Sequence, residues 1–479
     1  MQPAPPTVLA ASASRTPTLV WPAVALVVAA VSFSLPLIRS TWWMNPDNYA
    51  LLAWGRQVAS LHRITLENGL TTPHPLPMAL GALLYHGGTP IGFFTFLSVV
   101  ALLVIAVSAG IAAHRRAGIP AAVLAILLIG TSDGLGESAA LRGVDLLSTA
   151  AIAAALAVAP NRWKLRVALI CVAGLVRPEP WALAAAVAFL GYQAPFLRKL
   201  AAGLVGGLIA PLVWTAYDWA VAGDPLLAVN RTDDLADIAR KLTPLREAPK
   251  TMAKMIIGID EQALFVLAAA GMTVALLAAL RRWRLPADPL PFLVVSVIPF
   301  VLLVEIARDY PLRLRYLLPL AVVIAIEAAV ALVVVGAAII RRFPGLRPYV
   351  ACAFAVVAAY GVVFTVSRAP QVHTPVLPFV NGGVQLLDSY QLDCSRIGFL
   401  AGRVRDVKVV PPLALHADEP LQRFTFIMPG DPVPADLDVL IVPREQQVVP
   451  DARFRSVAQM DKWLLYATGE GCSSGLPLQ

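Results

Sequence analysis

Trp42-Trp43-Met44-Asn45-Pro46-Asp47-Asn48-Tyr49 follows the first apolar run of membrane-spanning length, residues 19–38, and puts a carboxylate at its mouth. Almost everything around it is lipid-soluble. Hydrophobic residues make up 58% of the chain, charged residues 14%, and the mean hydropathy is +0.72. In such a chain Asp47 is either part of a solvated loop or a working group. A helix needs about 17–25 residues to cross a bilayer. Apolar runs near that length recur at 91–113, 119–132, 144–159, 165–176, 181–197, 199–220, 263–280, 288–306, 316–340 and 348–367. The pattern predicts an α-helical polytopic membrane protein of about eleven transmembrane helices. The short runs between 119 and 192 are expected to be broken or tilted, with any irregular backbone lining a cavity.

Basic residues in short loops set the orientation. Alternate loops hold Arg115/Arg116, Arg162/Lys164/Arg166, Arg198/Lys199, Arg281/Arg282/Arg284 and Arg341/Arg342/Arg347, with Asp288 the one acid among them. Eleven spans put all five on one side. The N-terminal segment, 1–18, is then cytoplasmic and the chain after 367 lies outside. The net charge of +8 is mostly this rim, so nucleic acid is not an expected partner. The first span is too long for a signal-peptide core and lacks a small-x-small cleavage site after it, so a retained helix is expected.

Three segments are not lipid-like. Residues 39–90 carry two amphipathic stretches, Tyr49 to His62 and Leu76 to His86, expected to lie on the outer surface. Residues 217–262 carry both signs of charge, with Pro244 and Pro249. The tail, 368–479, is long enough for a small α/β domain. Strands are expected at Arg396 to Leu400, Val407 to Val410 and Leu437 to Val442. Helices are expected at Leu386 to Leu392 and Arg453 to Leu465. Cys171 and Cys352 fall in spans as buried thiols. Cys394 and Cys472 fall in the tail, where an oxidising exterior allows them to form a disulfide.

Under this topology the unusual polar residues collect outside. Asp47, Glu67 and His74 lie in the first outer segment. Glu137, Arg142 and Asp145 lie at the link between the third and fourth spans. Arg177 and Glu179 sit in Arg177-Pro178-Glu179-Pro180, and Arg308, Asp309, Arg313 and Arg315 precede the span at 316. Three arginines against the positive-inside bias call for an anion, and a guanidinium fork matches phosphate. Structural alternatives stay open. Arg142 and Asp145 can be a local ion pair, Arg177 and Glu179 a salt bridge at a proline turn, and His74 a packed side chain. Arg313 and Arg315 can snorkel to lipid.

Several strings resemble the GT-C superfamily of membrane glycosyltransferases, across residues 19–367. Asp47-Asn48-Tyr49, with Ala53 and Gly55, looks like the family's first outer-loop aspartate. Thr72-Pro73-His74-Pro75-Leu76-Pro77 is similar to the Lys-Pro-Pro-Leu turn of lipid A aminoarabinose transferases, with His74 near the lysine place. Arg177-Pro178-Glu179 is similar to an Arg-Pro-Glu element of bacterial members. Arg315-Tyr316-Leu317-Leu318-Pro319 resembles the entry to a late span, and Gly223-Asp224-Pro225-Leu226 a Gly-x-Pro-Leu of the middle loop.

The resemblance implies a donor sugar on a polyprenyl phosphate, a glycan, lipid or protein acceptor outside a bacterial plasma membrane, and inversion at the anomeric carbon. It assigns Asp47 as general base and Arg313, Arg315, His74 and Arg177 to the donor phosphate. Tyr49, Glu67, Glu137, Arg142, Asp145, Glu179 and Tyr316 become supporting or acceptor-side residues. The first loop lacks an Asp-x-Asp pair, so no metal ligands are assigned, and a divalent cation is optional. The rival classes are a flippase of lipid-linked sugar, for which Glu305 and Glu327 would be mid-membrane acids, and a non-catalytic scaffold.

Overall fold

A computed structural model describes residues 46–61, 63–64, 72–84, 90–130, 132–230, 247–258, 266–273, 276, 288–307, 314–350, 352, 356, 397–400, 424–427, 433, 437–443, 453–460 and 463–468. The expectations for 19–38, Glu67, Arg308, Asp309, Arg313, most of 348–367, 386–392, 407–410 and the Cys394–Cys472 disulfide lie outside these residues.

The described apolar runs fold as helices. The first outer segment gives α1 (Pro46–Ala59) and α2 (Pro75–Leu84). Both begin at a proline, which gives up no helical hydrogen bond there and presets φ. Then come α3 (Pro90–Ala117), α4 (Ile119–Ile129), α5 (Asp133–Ala140), α6 (Asp145–Ala157), α7 (Trp163–Gly174), α8 (Pro180–Gly191) and α9 (Phe196–Ala222). Further on lie α10 (Ala248–Gly258), α11 (Leu290–Ala307) and α12 (Leu318–Arg342), the last entered through a 3₁₀ turn at Leu314–Leu317.

Among the described residues four helices are long and apolar enough to cross a membrane, or five if the pair bent by 54° at 119–140 is one span. The eleven-span expectation is met only in part. Helices α6, α7 and α8 have 13, 12 and 12 residues. At 1.5 Å per residue they are about 18–20 Å long, short of a hydrocarbon core of about 30 Å. They pack in the bundle interior, α6 on α3 and α7, and α8 on α7, α9 and α11. Alanines such as Ala109, Ala113, Ala125 and Ala153 line the shared core, where small side chains let helices approach closely.

Helix α6 marks the two ends of the bundle. Its first residue, Asp145, belongs to the polar cluster described below. Its last turn meets the basic rim. Arg115 Nη2 donates to the Leu156 carbonyl (2.7 Å), and Arg166 Nε and Nη2 donate to that of Val158 (3.0 and 2.6 Å). The Arg166 fork also grips Asp288 through two bonds of 2.7 Å. Arg115, Arg166 and Asp288, placed on one side by the sequence, do meet at one end. Glu327 is buried in α12 and paired with Arg116, whose Nη2 donates to its Oε2 at 2.8 Å. That acid is a structural partner of the rim rather than a step on a mid-membrane path.

Helices α1 and α2 cross at Gly55. A Cβ there would stand 2.9 Å from the Met78 carbonyl oxygen and 3.0 Å from the Ala82 nitrogen, both backbone atoms that cannot swing aside. Gly55→Val is expected to destabilise the protein by about 1–3 kcal/mol through overpacking. The check is its thermal midpoint in detergent micelles beside that of the parent. An unchanged midpoint would refute the close crossing.

The described tail is a five-stranded mixed sheet in the order β2-β1-β3-β5-β4. Its strands are β1 (Ile397–Leu400), β2 (Phe424–Ile427), β3 (Val439–Pro443), β4 (Phe454–Met460) and β5 (Trp463–Thr468). β1 runs parallel to β2 and β3, while β5 is antiparallel to both β3 and β4. The expected strands at 396–400 and 437–442 are present. The helix expected over 453–465 is not: that stretch forms most of the β4–β5 pair. β5 alternates buried and half-buried residues along its whole length, as a strand with one covered face does.

Candidate active site

Asp47 stands in the first turn of α1, where the helix dipole favours an acid. Its Oδ2 accepts from Arg315 Nη1 and Nη2, at 3.0 and 3.1 Å. Arg315, on the 3₁₀ turn before α12, also brings Nε to 3.6 Å from Asp145 Oδ2. Asp145 Oδ1 lies 3.5 Å from Arg177 Nη1, and Arg177 Nη2 donates to Glu179 Oε1 at 2.8 Å. The Arg177 guanidinium carbon sits 3.8 Å from the centroid of the Tyr316 ring, close enough for cation–π attraction. Asp47, Arg315, Asp145, Arg177 and Glu179 thus form one chain of alternating charge around Tyr316. Burial opposes the Arg177 charge. Glu179, then Tyr316 and Asp145, more than offset it and hold the guanidinium well above its ordinary pKa.

Local structure fixes these groups. The α7–α8 turn presents Arg177 and Glu179. It closes as Trp181 Nε1 donates to the Gly174 carbonyl at 2.8 Å. A Cβ on Gly174 would stand 2.8 Å from Trp181 Cδ1, so the indole needs the glycine. Asp145 is tied to the same corner, since Ser148 Oγ on α6 donates to the Ala173 carbonyl at 3.3 Å.

The space enclosed by Asp145, Ser148, Thr149, Arg177, Arg315 and Tyr316 is about 10 Å³, enough for about one water. Two cavities of about 700 and 660 Å³ lie elsewhere, at the opposite end of the bundle.

Other expected residues take different places. His74 is buried, with its ring 5.7 Å from Trp214 in an edge-to-face contact, and its Nδ1 has no hydrogen-bond partner among the described residues. Burial, then the Arg177 charge, lowers its pKa to about 3, so at neutral pH it is an uncharged imidazole. It can offer an anion an N–H, not a charge. Tyr49 and Arg142 are buried together beside α1. Burial pushes the Tyr49 phenol up to about 12, with Arg142 pulling the other way. Arg142 turns its guanidinium to Thr95 Oγ1 (Nε, 2.6 Å) and the Ala140 carbonyl (Nη1, 3.2 Å). Glu137 is exposed on α5, away from the charge chain.

Three participants are absent from the sequence assignment. Asn48 Nδ2 donates to the Arg142 carbonyl at 2.5 Å, tying the base of α1 to the α5–α6 link. Arg142 there has φ 54°, rare outside glycine. Thr95 holds the other face of Arg142. Glu305 on α11 lies within the field of Glu179 and Arg177. An Asn next to an Asp is a local signal for such a tie. A glutamate inside an apolar run is a signal too, and the sequence reads Glu305 from it only for the rival flippase class, whereas a threonine there gives none.

A bound cation does not fit this arrangement as it stands. The Asp47, Asp145 and Glu179 carboxylates each face a guanidinium, and among the described residues no three His, Cys, Asp or Glu side chains are placed to share an ion. No step is therefore assigned to a metal.

The His74 environment predicts a pH effect on stability. Between pH 6.5 and about 3 the unfolded chain takes up a proton at His74 that the folded chain does not. Stability therefore falls with falling pH in that window, by up to about 1.4 kcal/mol per unit. His74→Gln should flatten this loss when thermal midpoints are followed from pH 7 to pH 4. Parallel curves for parent and variant would mean that the imidazole titrates normally.

No protein-family model matches the chain, and no curated protein matches it in sequence. Solved structures match in fold. ArnT from Cupriavidus metallidurans bound to undecaprenyl phosphate aligns with a TM-score of 0.57 at 14% identity, over 94% of this chain and 97% of that one. The oligosaccharyltransferase AglB from Archaeoglobus fulgidus, in complex with an inhibitory peptide and a dolichol-phosphate, aligns with a TM-score of 0.56 at 13% identity, over 89% of this chain and 70% of that one. The chain shares its fold with these two solved proteins. The ArnT alignment covers nearly the whole length of both chains.

Proposed function

We propose that this protein is a membrane glycosyltransferase. It moves a sugar from a polyprenyl-phosphate donor to a glycan, lipid or protein acceptor on the outer side of a bacterial plasma membrane. The observation that carries the reading is the charge chain from Asp47 through Arg315 and Asp145 to Arg177 and Glu179, gathered at one end of a GT-C bundle. ArnT and AglB, which share the fold, are solved with polyprenyl phosphates bound.

In this reading Asp47 takes the proton from an acceptor hydroxyl. The hydroxyl oxygen attacks the anomeric carbon from the face opposite the phosphate. The bond between that carbon and the phosphate oxygen breaks, its electrons leave with polyprenyl phosphate, and the configuration inverts. Arg315 is the pivot. Its fork holds Asp47, and a donor phosphate would compete for it. That exchange frees the carboxylate for the acceptor and sets a cation against the charge growing on the leaving group. Arg313, outside the described residues, is assigned to the same phosphate, with Arg177 and the N–H of His74 behind it. Asp145, Glu179 and Tyr316 hold the arginines in place. Tyr49 and Arg142 seat α1, and Glu67 and Glu137 are left to the acceptor side.

The test is chemical conversion. The purified protein in liposomes is given radiolabelled hexosyl, pentosyl and aminopentosyl polyprenyl phosphates with envelope lipid and glycan acceptors. Stoichiometric release of polyprenyl phosphate with labelled product is expected for one donor class. Movement of intact donor across the bilayer without cleavage would instead establish a flippase.

A further inference from the structure

The cavity of about 700 Å³ lies at the bundle end opposite Asp47, between α7 and α9 with α8 as its floor. Its walls are Val167, Ala168 and Cys171 on one side and Ala201, Val205 and Ile209 on the other. Small residues on the floor and walls keep it open. Lys164 and Arg198 stand at its mouth, exposed, and neither has an ion-pair partner among the described residues. The Lys164 ammonium lies 5.9 Å from the Trp163 ring centroid, and the Trp163 and Tyr192 rings lie 5.8 Å apart, tilted by 58°, beside it. Tryptophan and tyrosine gather at the headgroup level of a bilayer. From Arg198 to Ile209 the α9 wall is about 16 Å long, close to one leaflet of a core about 30 Å thick. An apolar slot one leaflet deep, with two cations and two aromatic rings at its polar end, has the shape to take a lipid chain and the charge to complement an anionic headgroup.

We infer that this groove binds one anionic glycerophospholipid, its phosphate between Lys164 and Arg198 and an acyl chain along α7 and α9. The site is separate from the Asp47 cluster, because α6 stands between Asp145 at one end and the Arg166 rim beside Lys164 at the other. It does not depend on the glycosyltransferase reading.

Native mass spectrometry of the detergent-purified full chain, titrated with phosphatidylglycerol and in parallel with phosphatidylcholine, tests it. One phosphatidylglycerol should be retained in preference to phosphatidylcholine. The Lys164→Gln/Arg198→Gln double variant should lose about tenfold or more of that affinity. Ala201→Phe, which fills the slot from an exposed position and leaves both cations intact, should lose it too. Equal retention of both lipids by every protein would overturn the inference, since that is ordinary annular lipid. Unchanged phosphatidylglycerol affinity in both variants would overturn it as well. So would retention of added polyprenyl phosphate without phosphatidylglycerol, lost in both variants, which would give the groove to a polyprenyl lipid.

Discussion

Asp47→Asn is expected to lower the rate of sugar transfer by about 10²–10⁴-fold, the usual contribution of a general base. The amide keeps the shape and can still face Arg315, but it cannot take the acceptor proton. Arg315 is not stranded by the change, because Asp145 lies 3.6 Å from its Nε. Folding should therefore survive, and the thermal midpoint in micelles should stay near that of the parent. Binding of the donor lipid should also survive, since Asn no longer competes for the fork. Asp47→Glu should restore little, because moving the carboxylate by a methylene spoils its line to the acceptor. Single-turnover transfer in reconstituted liposomes, with donor binding measured separately, reads these effects apart. An Asn variant with near-normal transfer would remove Asp47 as the base and make Asp145 the next residue to test. A flippase would keep moving intact donor without the carboxylate, and a scaffold would show no sugar defect.

The parts of this site that are legible in sequence are those written as short strings. Arg177-Pro178-Glu179 and Arg315-Tyr316 carry their neighbours with them, and Asp47 stands out at the edge of an apolar run. Their mutual pairing is not legible: Arg315 reaches Asp47 across 268 positions, and Asn48 reaches Arg142 across 94. Sequence placed these residues on one side of the membrane, and only packing could show which carboxylate meets which guanidinium. Arg142 beside Asp145 looks like a local pair, but its backbone turn aims the side chain at Thr95, and Asp145 is held by Arg177 and Arg315 instead.

The helical part was readable because apolar runs of span length have few other fates. The runs of 11–13 residues were the difficult ones, since hydropathy alone does not separate a full span from a short helix buried inside a bundle. The tail was harder still. In β4 the register slips between Ser456 and Ala458. Such an irregularity breaks the period of two that marks a strand, and 453–465 then passes for a helix.

Arg315→Lys is expected to lower transfer by about 10²–10³-fold, the scale of removing one donor aimed at a developing anion, although the charge is kept. The reason is geometry. Two nitrogens of the fork meet one Asp47 oxygen at 3.0 and 3.1 Å, while Nε faces Asp145. A lysine ammonium is a single point and cannot serve both carboxylates, nor pass between Asp47 and a bidentate phosphate. The loss should fall mainly on the rate of the chemical step, since the lysine charge still attracts the donor. Stability should drop modestly, because Asp47 and Asp145 then share a poorer cation. Arg342→Lys serves as the control at the other end of α12, where the side chain is exposed, and should leave transfer unchanged. If Arg315→Lys turns over donor as fast as the parent, the fork has no part in the reaction. Arg315 would then be a structural bridge between α1 and α6, and the phosphate contact would have to come from Arg177 or Arg313.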